Sequence, residues 1–196
     1  MTTNTRSKER IELARRNLKI AETHIIKNSA TKSDLKRSLT GEQKYLRRIY
    51  SVTSYLEGIN DYNKDEWILV LGLFAYYFDE HKPHLVWGDP DSPKNFGISL
   101  QSLSMATKSQ DEPESKAVVR KCRALLDTSI TNIRSPLSAL IRQMKTKDIT
   151  IDYPKLIVDL CQWNHSDQYV QDNWAKSFWG YQPPQDESQP TPASNN

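Results

Sequence analysis

Apolar residues recur at helical spacing along most of this chain, and nowhere do they alternate at period two for long. Ile11, Ala14, Leu18, Ala21 and Ile25 form one stripe among charged neighbours, which predicts a helix over residues 6–27. The run NSATKS is expected to interrupt the pattern. A second helix is expected over 39–56, with Thr40 and Gln43 as a capping box and Leu46, Ile49, Tyr50, Thr53 and Leu56 turned inward. Asn63 and Glu66 offer another capping box, for a helix running to about residue 78. Trp67, Leu69, Val70, Leu71, Leu73, Phe74, Tyr77 and Phe78 cover nearly all of its circumference, which marks it as the central core helix.

The stretch DEHKPHLVWGDPDSPKN is too rich in proline and turn formers for regular structure. A short helix is expected over 98–106, then a loop at TKSQDE. Pro113 opens a helix to about residue 126, Ser135 and Pro136 open another, and Asp152 caps a third over 153–163. A last helix follows Asp167 and ends at WGY. ITIDY is the one short strand candidate, and Asp152 with Pro154 favours a helix entry there. The expected fold is therefore all-α: two small helical bundles packed end to end, covering 1–107 and 108–180. Residues 181–196, polar and proline-rich, read as a disordered tail.

Composition fits this picture. The chain has 196 residues, 37% of them hydrophobic, which is enough for a core and too few for a membrane protein. The most apolar run, 67–78, is too short to span a bilayer, and no secretory signal precedes it, so a cytoplasmic protein is expected. Cys122 and Cys161 sit in apolar helical contexts and read as reduced, buried thiols. The net charge of +3 says little, but its distribution says more. Residues 1–60 carry 13 Lys and Arg against 6 Asp and Glu, and residues 111–147 carry 8 against 4. Residues 61–110 carry 4 against 7. Two basic regions around an acid-leaning one can present a positive face to a polyanion.

Catalytic motifs are missing from the sequence. The six glycines do not cluster into a phosphate-binding loop, and no nucleophile elbow or HExxH is present. His81 and His84 lack further metal-ligand neighbours, and Asp89 with Asp91 reads as a turn in WGDPDSPK. Neither an enzyme nor a cofactor or metal is expected. The aromatic C-terminal segment, with Trp163, Trp174 and Phe178, suits a helical hairpin whose tryptophans lock helices together, in preference to a base-stacking platform. The candidate contacts to a nucleic-acid backbone are Lys44, Arg47, Arg48, Arg120, Lys121, Arg123, Arg134, Arg142 and Lys145. A solvated or salt-bridged surface is the plainer use of each.

LTGEQKYLRRIY, WILVLGLFAYY, SKAVVRKCRALL, LSALIRQMKTKDITIDYPKLIVDLCQWNH and above all VQDNWAKSFWG resemble the Cse2/CasB family. That family is the small subunit of the type I-E CRISPR surveillance complex, Cascade. The resemblance covers about residues 32–180. It implies a two-domain, all-helical, non-catalytic protein present as two copies. Its implied partners are crRNA, target DNA, the large subunit and the repeated backbone subunits, and its implied role is to stabilise the R-loop and the displaced strand in antiviral defence. It places Arg47, Arg48, Arg120, Lys121, Arg123, Arg142 and Lys145 on the nucleic-acid side, and assigns nothing to the basic N-terminal helix. Two other readings stay open: a pure protein–protein assembly subunit, and a stand-alone helical RNA-binding module.

Overall fold

The stripe expected in the first helix is buried along its length, from Ile11 to Ile25. In the computed structural model, which describes residues 3–180, this helix is α1 (Thr3–Lys27). The tail expected at 181–196 lies outside the described residues. All regular structure among the described residues is helical, so the all-α expectation holds.

Contrary to expectation, the run NSATKS does not break the pattern. It starts a helix, α2 (Ser29–Ser38). Asn28 is extended and its side chain accepts hydrogen bonds from the Ala30 and Thr31 amides, at 2.9 and 3.4 Å. That satisfies two of the orphan donors of a helix start. The helix expected over 39–56 is instead two short ones, α3 (Gln43–Arg48) and α4 (Tyr50–Thr53). Gly41 explains the offset: its φ of +77° is left-handed and no helix runs through it. Thr40 consequently caps nothing at residue 43. Its hydroxyl donates to the Arg37 carbonyl at 2.9 Å and closes the end of α2.

The central helix is α5 (Lys64–Tyr77), buried on nearly every side from Trp67 to Tyr77. The Asn63–Glu66 capping box does not form. Asn63 accepts from the Asn60 amide at 2.9 Å and donates to the Gly58 carbonyl at 3.0 Å, so it braces the preceding turn. Asp65 and Glu66 in the first turn still favour the positive end of the helix. The chain continues through α6 (Phe96–Thr107), α7 (Lys116–Leu126), α8 (Arg134–Lys145), α9 (Tyr153–Leu160) and α10 (Tyr169–Trp179). α7 begins three residues later than Pro113, with Ser115 as its N-cap residue.

One hydrophobic cluster draws on helices from both halves. α2 packs on α5, α1 on α9, α8 on α5, α7 on α6 and α8, and α10 on α6. The expected α9–α10 hairpin is therefore opened, with α6 as the principal partner of α10. Trp174 joins α10 to α9. Fully buried, it donates its indole N–H to Asp159 at 2.8 Å and meets the Trp163 ring at 4.9 Å. Trp163, also buried, donates to the Thr128 carbonyl at 2.8 Å. Both indoles are scaffold, as the spacing implied.

Asp159 is 4% exposed, and Lys155 pairs with its second oxygen. Burial raises its carboxyl above the usual range, against the opposing effects of Lys155 and Trp174. Asp152, which caps α9 through the Lys155 amide at 3.0 Å, is raised by burial as well. A raised acid binds its proton more tightly in the folded chain than in the unfolded one. Its stabilising contribution is full below the unfolded pKa of about 3.9 and is lost as pH rises through the folded value. Asp159→Asn keeps an acceptor for Trp174 and removes this titration. Urea midpoints measured from acid to neutral pH are expected to fall less for the variant than for the wild type. Parallel pH profiles would overturn this account.

Candidate nucleic-acid interface

α2 and α3 bring six cations, Lys32, Lys36, Arg37, Lys44, Arg47 and Arg48, against two acids, Asp34 and Glu42. The segment 134–147 adds Arg134, Arg142, Lys145 and Lys147 and contains no acid. Two sets of structural bonds join these elements into one surface. Arg134 donates to the Ser38 and Leu39 carbonyls at 3.2 and 3.3 Å, which caps the C-terminus of α2. Lys145 donates to the Tyr76 carbonyl, while Lys32 donates to the Phe78 carbonyl at 3.2 Å. Two lysines from different helices thus cap the negative end of α5.

Charge crowds at that junction. Lys145 is held below the usual lysine range by burial first, then by the Lys36 and Lys32 charges. Lys36 is lowered by partial desolvation and by Lys32. Like charges kept this close favour an anion among them. Tyrosines lie within the same surface: Tyr76 has Arg142 and Lys145 over its ring at 6.0 and 4.8 Å, and Tyr45 has Arg37, Lys44 and Arg48 over its ring.

The nine residues expected from the sequence therefore fall into two groups. Lys44, Arg47, Arg48, Arg134, Arg142 and Lys145 belong to the α2–α3–α8 surface. Lys44 pairs with Glu42 at 2.8 Å and Arg48 with Asp34 at 3.3 Å, both on the exposed surface where such pairs contribute little. Arg47 and Arg142 are exposed. Arg134 and Lys145 are partly buried and have the helix-capping roles just described. Arg120, Lys121 and Arg123 form the second group, on α7, whose apolar face buries Val118, Cys122 and Leu125. Arg120 and Arg123 are exposed, Lys121 is half-buried, and Arg123 lies 6.0 Å from the centre of the Trp179 ring.

Lys32, Lys36 and Arg37 are not among the nine, because the sequence pattern suggested no helix over residues 29–38. The signal was present. Asn28 is a strong N-cap residue, and Leu35 and Leu39 repeat at i and i+4 between the charges.

Other chemistry finds no support among the described residues. No group of three His, Cys, Asp or Glu is placed to hold a metal ion, so His81 and His84 gain no third ligand. Asp89 accepts from the Asp91 amide at 3.0 Å, an Asx turn. Cys122 and Cys161 are free, and burial pushes both thiols up to about 12, far from nucleophilic use at neutral pH. No helix there is long and apolar enough to cross a membrane.

Comparison with known proteins bears on the same residues. The family model described as CRISPR-associated protein Cse2 matches residues 31–179. Curated protein sequences offer no match. Among solved structures, a chain of a CRISPR RNA-guided surveillance complex is 16% identical with a TM-score of 0.70, over 87% of this chain and 94% of that one. CasB from M. ruber is 20% identical with a TM-score of 0.58, over 78% and 85%. CasB from Thermus thermophilus is 16% identical with a TM-score of 0.59, over 92% and 100%. At these identities the structures support the fold, and the family model carries the assignment.

Proposed function

The chain belongs to the Cse2 family, and from that premise we propose that it serves a crRNA-guided DNA surveillance complex, Cascade, as a non-catalytic small subunit. Its basic surfaces bind nucleic-acid backbone there and stabilise the R-loop with its displaced strand. The observation that carries this reading is the junction of α2, α5 and α8, where Lys32, Lys36 and Lys145 crowd together. Exchange of DNA duplex for RNA–DNA heteroduplex is nearly balanced, so backbone contacts are enough to tip it. A positive surface that retains the displaced strand opposes re-annealing and needs no bond-making step. Cleavage then falls to another protein. In this reading the two units expected over 1–107 and 108–180 are joined by the packing of α1 on α9, of α5 on α8 and α9, and of α6 on α7, α8 and α10.

The assembled complex is expected to bind target duplex about tenfold more weakly when Arg120 and Arg123 are both changed to Glu. Its salt slope should fall by about 0.7–0.9 for each phosphate that the variant no longer neutralises. Gel-shift titration at several salt concentrations measures both quantities. Unchanged affinity and slope would remove α7 from the interface. Failure of the variant to enter the complex would favour the assembly-subunit reading.

A further inference from the structure

Tyr45 stands out within the basic surface because three cations from two helices surround one half-buried ring. The Arg37 guanidinium lies 5.6 Å from the ring centre, the Lys44 ammonium 4.8 Å and the Arg48 guanidinium 5.9 Å. Arg37 comes from the end of α2, the other two from α3 beside Tyr45 itself. Carboxylates already sit on two of the cations, Asp34 on Arg48 and Glu42 on Lys44. The Lys44–Glu42 pair is solvent-exposed, and Arg48 is exposed beside a half-buried Asp34, so both cations are open to exchange.

A ligand that matches this arrangement must bring a flat π-face for the ring and anions for its rim. A nucleotide within a strand brings both. Its phosphates can replace Asp34 and Glu42 on their cations, one anion for another, and draw those cations outward from the ring. The vacated face then accepts a base, since every base has a π-face and stacking on tyrosine does not depend on its identity. A duplex cannot use the seat, because its base faces are stacked on one another. An unpaired strand can. We infer that Tyr45 is a stacking seat for one unpaired base, with Arg37, Lys44 and Arg48 holding the flanking phosphates. This rests on the nucleic-acid reading above and adds to it a preference for single strands that phosphate contacts alone do not supply.

Separating bases from phosphates tests it. The full chain is titrated with a fluorescent oligothymidylate of about fifteen nucleotides and with an abasic oligomer of the same length and charge. The wild type is expected to bind the thymidylate roughly tenfold more tightly, within the range of one base stacked on an aromatic ring. Tyr45→Phe should retain that preference. Tyr45→Ala should bind both oligomers alike, with the salt slope of the wild type, because every phosphate keeps its cation. Equal affinity of the wild type for the two oligomers would overturn the stacking seat and leave the backbone reading standing. Binding of neither would overturn both. A preference that survives in Tyr45→Ala would place the stacking elsewhere and also overturn the inference.

Discussion

Gly97→Ala is expected to cost about 3 kcal/mol of stability, the upper part of the usual range for overpacking. A Cβ at this position would stand 2.1 Å from the Trp174 carbonyl oxygen, 2.8 Å from its carbonyl carbon and 2.9 Å from its Cα. All three are backbone atoms, so no change of rotamer relieves the clash, and α6 and α10 must separate. The gain in helix propensity on leaving glycine, about 1 kcal/mol, offsets only part of this. Separation also disturbs Trp174, whose ring packs on Phe96 at 5.0 Å as well as on Trp163. For a chain of this size the melting midpoint should fall by about 6–12 °C. Gly41→Ala is the comparison: its added Cβ meets nothing within 4 Å, and only its left-handed φ is strained, a cost of about 1–2 kcal/mol. Circular dichroism melts of the two variants measure the difference. A Gly97→Ala protein as stable as Gly41→Ala would refute the close approach.

Features carried by local pattern were legible before the structure. The α1 stripe, the all-round apolar α5 and the Asp152 cap of α9 each follow from residues within a few positions of one another. The expectations that failed depended on conformation or on partners distant in sequence. Glycine is tolerated within a helical run as well as in a left-handed turn, and only the φ of Gly41 shows which it occupies. Thr40 and Asn63 have the right side chains for capping, but their oxygens accept from the Glu42 and Asn60 amides instead. The α6–α10 pairing is invisible to periodicity, because Gly97 signals close packing by what it lacks. The same division applies to the candidate interface. Exposed Arg120 and Arg142 were readable from helical phase, since each lies opposite the buried stripe of its helix. The capping roles of Arg134 and Lys145 were not, because the carbonyls they bind lie 95 and 69 residues away.

Reversing charge at Lys36, Arg47 and Arg142 together should weaken nucleic-acid binding by about two orders of magnitude at low salt. The choice of residues follows from their partners. Arg134 and Lys145 hold the ends of α2 and α5, so replacing them would confuse binding with folding. Lys36, Arg47 and Arg142 are exposed and leave both caps intact. Each phosphate left without its cation should lower the salt slope by about 0.7–0.9, so the slope of the triple variant should be shallower by roughly 2–3. Lys36→Glu also removes one of the two like charges that depress Lys145, and the Lys145 pKa should therefore rise. If α7 is a separate contact, the Arg120 and Arg123 reversal should add to the triple reversal in log affinity, as independent sites do. If one continuous track serves both, the combined effect should fall short of the sum. An assembly subunit whose cations face acidic protein surfaces predicts a different pattern. Its triple variant would fail to co-purify with partner subunits, yet show the same oligonucleotide affinity and salt slope as the wild type.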